Sequence, residues 1–253
     1  MKLSVVLVTM NEERCVRTCL ESFAWADELI VIDSGSTDRT VEICREFTDK
    51  ILITDWPGPG AQRNRAIDMA TGDWILAIDA DEWVTPELKA EIQAVLSDPG
   101  DNVAFEMPRL SSYCGRYMRH SGWWPDRVVR LFKRGYARFS DDLIHQHLIV
   151  RNGTGRLKNH LLHESFTDME EVLGKINRYS TGVAHQMFMN GQRASLWTAI
   201  FHGLWSFLHT YVIRAGFLDG REGFMLAVSN AEGTYYKYVK LMLLEKNGES
   251  LGR

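Results

Sequence analysis

The sequence has no CxxC pair and only four cysteines, at positions 15, 19, 44 and 114. So few thiols argue against a disulfide-stapled scaffold and read as the reduced cysteines of a cytosolic protein; zinc or a disulfide is the alternative, with Cys15 and Cys19 spaced i, i+4 on one expected helix. No run of about 18 uninterrupted apolar residues occurs, so no membrane-spanning helix is expected. The apolar start "LSVVLVT" lacks a cleavage site and reads as a first strand. A basic excess is missing as well: the formal net charge is −4, which argues against a nucleic-acid partner. There is no internal repeat and no low-complexity linker. What remains is a soluble globular composition of 253 residues, 45% hydrophobic, long enough for one large domain or one domain plus an appendage.

The first hundred residues alternate between two patterns. "LSVVLVT", "ELIVIDSGS", "KILITDW" and "DWILAIDADE" are apolar and β-branched, as strands covered on both faces should be. "NEERCVRTCLESFAWA", "TDRTVEICREFT", "GAQRNRAIDMA" and "TPELKAEIQAVLS" carry helical spacing, with Thr37 and Thr85 as start signals. Strand then helix with short connections predicts an α/β fold with a mainly parallel sheet flanked by helices. Between 101 and 167 the runs become shorter and more polar, which predicts strands of mixed direction extending the sheet. From Asp168 onward the pattern is helical. The expected divisions are therefore 1–100, 101–167 and 168–253, the last a C-terminal helical extension.

In parallel sheets ligands bind beyond the carboxyl ends of the strands. Here those ends carry Thr9, Asn11 and Glu12; Asp33, Ser34 and Gly35; Asp55; and Asp79, Asp81 and Glu82. In extended chain, i and i+2 lie on one side, so Asp79 and Asp81 can converge on a divalent cation such as Mg²⁺ or Mn²⁺. An exposed turn with incidental acids is the plainer reading. "VIDSGSTD" suits an anion at a helix start or an ordinary capped turn, and the arginines of "GAQRNRA" suit a diphosphate or solvent. Glu82 reads as a helix-start or supporting acid.

Taken in order, "SVVLVTMNEE", "LIVIDSGSTD" and "GAQRNRAIDMATGDWILAIDADE" resemble the family 2 inverting glycosyltransferases with the GT-A fold. That resemblance implies a nucleotide-sugar donor, most often a UDP-sugar. Thr9, Asn11 and Glu12 would line the nucleotide pocket, with Ser34 and Gly35 beside Asp33, which would contact the base. Arg63 would lie near the nucleotide, Asp79 near the ribose or diphosphate, and Asp81 on the metal. "GWWPDRVVRLFKR", "FSDDLIHQHL", "LLHESF", "KINRYS" and "GFLDGREGF" are similar to lipopolysaccharide inner-core glucosyltransferases. This implies transfer of a sugar, glucose by preference, to a heptose of a lipid-linked core oligosaccharide. The corresponding place is the cytoplasmic face of the bacterial inner membrane. His163 is a third metal ligand, a diphosphate contact or a structural histidine; His145 and His147 read as structural, and Trp123 and Trp124 as sugar-stacking or packed.

An inverting transfer needs a carboxylate that takes the acceptor hydroxyl's proton, and no protein nucleophile. Relatives carry His-Glu where this chain has His145-Gln146, so the base is Asp142 or Asp141, or the position of Gln146 is altered. "SLWTAIFHGLWSFLHTYVIRAG" predicts a helix with a wide apolar face that lies in a membrane interface, or else in the core or a dimer contact. Three other readings compete: a family 2 transferase with another lipid-linked or protein acceptor, a non-catalytic nucleotide-sugar-binding protein, and a nucleotidyltransferase. The last would carry a glycine-rich basic loop after the first strand, where this chain has "TMNEER".

Overall fold

The computed structural model describes residues 1–140 and 147–251, with side chains to residue 246. The chain forms β1 (Leu3–Thr9), α1 (Val16–Ser22), β2 (Glu28–Asp33), α2 (Thr40–Cys44), β3 (Ile51–Ile53), α3 (Pro59–Met69), β4 (Trp74–Asp79), β5 (Glu82–Val84) and α4 (Pro86–Ser97). It continues through β6 (Ala104–Tyr113), β7 (Arg116–Tyr117), β8 (Asp126–Lys133), β9 (Ala137–Phe139), β10 (Leu148–Val150), β11 (Thr154–Arg156) and β12 (Leu161–Phe166). Three helices close it: α5 (Met169–Met189), α6 (Leu196–Leu208) and α7 (Gly220–Leu251). Contacts divide the chain into two units, Met1–Leu110 with Asp126–Glu164, and Ser111–Pro125 with Ser165–Arg253.

The first unit is the expected α/β sheet. Strand order is β3-β2-β1-β4-β8-β6-β12-β5, with β11 beside β6. β1 pairs in parallel with both β2 and β4, and β2 with β3. β8 then runs antiparallel to β4, and β6 antiparallel to β8. The period-2 alternation explains the unbroken apolar runs. Leu3, Val5 and Leu7 of β1 and Trp74, Leu76 and Ile78 of β4 pack on one face with Val16, Leu20, Leu88 and Ile92. Val6, Ile75 and Ala77 pack on the other with Ala66, Ile67, Phe132 and Phe139. Both faces are covered, so polar alternation would have been penalised.

Two local expectations change. Glu82 does not start a helix: it opens the short strand β5, wholly buried, and α4 begins at Pro86 with Thr85 as its cap. "GFLDGREGF", a glycine-rich stretch that reads as a turn between helices, is a 3-10 turn only over Gly216–Asp219, because α7 already starts at Gly220. The four cysteines are free thiols.

In the second unit α7 packs along α5 and α6, with Leu226, Ala227 and Leu241 buried. Trp123 belongs to its core, edge-on to Tyr113 at 5.8 Å and near Phe166, which supports packing for this residue; Trp124 lies under the Arg119 guanidinium. α6 buries its small residues, Ala199 and Gly203, and turns its large ones outward: Trp197, Phe201 and Trp205 are 67%, 65% and 57% exposed. The apolar face is therefore not a core face. A π-helical turn, His209–Ile213, continues α6. No helix of the described residues is long and apolar enough to cross a membrane.

Candidate active site

Beyond the carboxyl ends of β1 and β4 lies a cavity of about 250 Å³, lined by Thr9, Met10, Glu12, Trp56, Arg63, Asp79, Asp81 and His163, among others. Thr9 and Asp79 arrive there because β1 and β4 are parallel neighbours. Arg63 arrives from the first turns of α3. His163 comes from β12, whose pairing with β5 sets it opposite Glu82.

Asn11, Asp33, Ser34 and Gly35 do not line the cavity; they build the loops around it. Asp33 accepts from the Gly35 and Ser36 backbone N–H groups at 2.9 and 2.8 Å and from the Ser36 hydroxyl at 2.5 Å. Gly35 has φ +91°, a conformation that L side chains rarely adopt, so this turn needs glycine. Asn11 accepts from Thr37 N–H at 2.8 Å and Ser34 Oγ from the buried Gln62 side chain at 2.9 Å. These bonds tie the β1 and β2 loops to α3.

The acids of "DADE" are held by arginines. Asp79 takes Arg63 on Oδ1 and Arg130 on Oδ2, the latter at 2.7 Å. Arg130 also donates to Glu82 Oε1 at 2.5 Å, where Arg109 donates too at 3.2 Å. Glu82 Oε2 accepts the Asp79 backbone N–H at 3.1 Å. Arg109 reaches Asp126 at 2.6 Å. Three guanidiniums thus meet three carboxylates. Burial pushes the Asp79 carboxyl up, but the charges of Arg130 and Arg63 outweigh it and hold the group below the usual carboxylate range. For Arg130 burial works downward, and Asp79 and Glu82 reverse it.

Asp81 stands outside that balance. Its Oδ2 lies 3.2 Å from His163 Nε2, and its Oδ1 is buried with no partner among the described residues. A buried, unmatched carboxylate oxygen costs stability unless something positive meets it. A carboxylate backed by an imidazole fits a divalent cation that keeps other positions for phosphate oxygens. No group of three His, Cys, Asp or Glu among the described residues is arranged as a closed metal cage.

Asp141, Asp142, His145 and Gln146 lie outside the described residues. The strands that flank them are placed: Asn64 of α3 donates to Phe139 O and accepts from Phe139 N–H, both at 3.0 Å. Ser140 N–H bonds His147 O at 2.9 Å. Arg130 and Asn64 went unnoticed in the sequence. Arg130 sits 51 residues from Asp79, in the apolar middle of β8; a lone arginine inside "VVRLF" was the available signal.

A family model described as Glycosyl transferase family 2 matches residues 4–160. An uncharacterized glycosyltransferase of Rickettsia typhi is 28% identical over 252 residues, covering 95% of this chain and 86% of that protein. The lipopolysaccharide core biosynthesis glycosyltransferase LpsC of Rhizobium meliloti is 27% identical over 251 residues, covering 94% and 91%. Among solved structures, S. aureus TarS 1-349 in complex with UDP-GlcNAc aligns with TM-score 0.49 at 15% identity, over 98% of this chain and 92% of that one.

Proposed function

The chain belongs to glycosyl transferase family 2, and from that premise we propose that it moves glucose from UDP-glucose, with inversion, onto a heptose of a lipid-linked lipopolysaccharide core. The observation that carries the donor half is the cavity where Thr9, Glu12, Arg63, Asp79 and Asp81 meet beyond parallel strand ends. The likeness to LpsC over nearly the whole chain supports the acceptor half.

Asp81 would hold a Mg²⁺ or Mn²⁺ ion, with His163 behind it; that ion, when bound, neutralises charge growing on the departing diphosphate. Arg63 presents a fork of donors to the phosphate oxygens. The acceptor hydroxyl attacks the anomeric carbon as the bond to the diphosphate oxygen breaks, and its proton passes to a carboxylate, Asp142 or Asp141. Gln146 cannot take that proton.

Transfer assays with UDP-, GDP- and ADP-sugars, with and without Mn²⁺, on truncated core oligosaccharide test the reading. Turnover with UDP-glucose that EDTA removes is the expected result; turnover only with another donor, or none, overturns it. Asp142→Asn should lower kcat by 10²-fold or more, on the order expected for losing a general base. A large gain in Gln146→Glu instead would move the base to position 146.

The outward face of α6 supports a membrane-surface partner on the cytoplasmic side of the inner membrane. Leu196–Arg214 contains no acidic residue in a chain of net charge −4, and holds two tryptophans, two histidines and a terminal arginine. Exposed aromatics with a basic border suit the interface of an anionic bilayer, where a lipid-linked acceptor resides. Co-flotation with anionic vesicles is expected, and its absence would sink this part of the reading.

A further inference from the structure

We infer that Arg130 is a positioning residue for the donor diphosphate: it acts through Asp79 to aim Arg63 into the cavity, and it keeps the Asp79 carboxylate occupied. The inference rests on the UDP-sugar reading and deepens it.

Arg130 does not line the cavity, whereas Arg63, Asp79 and Asp81 do. It is buried, with its side chain 7% exposed, and it bridges Asp79 Oδ2 to Glu82 Oε1. Glu82 is fully buried and pinned from two more directions, by Arg109 and by the Asp79 N–H. Asp79 is therefore fixed from behind. Its remaining oxygen, Oδ1, holds Arg63.

Arg63 is also seated against the Phe139 ring, 5.3 Å from its centroid. Its Nε is buried without an acceptor among the described residues. A guanidinium fastened on one edge and one face keeps a single orientation, with spare donors. That is the preorganisation phosphate recognition uses. A cation on Asp79 would have to displace an arginine from an oxygen already used and then sit beside its positive charge. Asp81 has no such obstacle, since its Oδ1 is unmatched.

The test is a double-mutant cycle on the full chain, read by calorimetric binding of UDP at saturating Mn²⁺, with Mn²⁺ binding alone followed separately by electron paramagnetic resonance. Arg63→Gln and Arg130→Gln should each weaken UDP about tenfold, and the double variant should be no weaker than Arg63→Gln alone. Mn²⁺ binding should survive Arg130→Gln and be lost in Asp81→Asn. A second cycle with Arg130→Lys, which keeps the charge but ends one atom short of Nη2, the nitrogen that bridges both carboxylates, carries the test if Arg130→Gln fails to fold; an intermediate loss of UDP affinity, absent in the Arg63→Gln background, is expected. Losses that multiply in the double variant, or loss of Mn²⁺ binding on Asp79→Asn equal to that on Asp81→Asn, would overturn the inference while leaving the donor reading intact. No UDP binding by the wild-type chain would overturn both.

Discussion

Glu28 opens β2 with its carboxylate buried against Lys50, the Ser4 hydroxyl, and the backbone and side chain of Thr71. Burial pushes its pKa up, but these partners overcome it and bring the value to about 2. A folded-state value below the ordinary 4.5 stabilises the fold fully above pH 4.5, and the contribution is lost as pH falls towards 2. Glu28→Gln should flatten the pH dependence of urea stability between pH 4.5 and 2; an unchanged profile would remove the group from that role. Cys15 is pushed the other way, to about 12, by burial first and then by Glu164, to which its thiol donates. It should resist alkylation at pH 8 in the native state and react on unfolding. For Glu82, truncation to Ala leaves the buried Arg130 and the half-buried Arg109 with fewer partners, and a loss of about 3–5 kcal/mol in denaturant unfolding is expected.

Helix boundaries follow local chemistry where side chains act on their own backbone. Thr85 caps α4 by accepting from Leu88 N–H, as the sequence predicts, and Asp168 caps α5 by accepting from Glu171 N–H. Thr85→Ala should cost about 1 kcal/mol by thermal or chemical denaturation. Thr37 fails as a start because the Asn11 side chain takes its N–H, while Asp38 accepts from Thr40 and from Glu13 N–H, so residues 37–39 stay in the loop and α2 begins at Thr40. Those partners lie about 25 residues away, beyond any local window. At the other end of the chain, a methyl on Gly223 would run into the Gly216 carbonyl. Gly223→Ala should therefore destabilise the start of α7 by roughly 1–3 kcal/mol.

At the scale of the molecule, the sheet unit and the helical unit solve different problems. The sheet unit buries both its faces. The helical unit keeps small residues inside on α6 and leaves Trp197, Phe201 and Trp205 outside. Exposed side chains contribute little to folding, so Trp197→Ser with Trp205→Ser should shift stability by no more than about 0.5 kcal/mol. The same double variant should lose co-flotation with anionic vesicles. A large drop in stability without a change in flotation would assign these residues to packing instead.

Pattern alone determined the parallel half of the sheet, the start of α4 and the delivery of Thr9, Glu12, Asp79 and Asp81 to one edge of the sheet, because strand alternation and short connections leave few arrangements open. Motif resemblance added the family. Tertiary structure decided what local pattern does not encode. Arg130 reaches Asp79 across 51 residues, and Asn64 reaches Phe139 across 75. Glu82 became a buried strand acid because two arginines from β6 and β8 neutralise it. Likewise, helical spacing marks an apolar face on α6, but only the packing of Ala199 and Gly203 inward shows that this face turns away from the core.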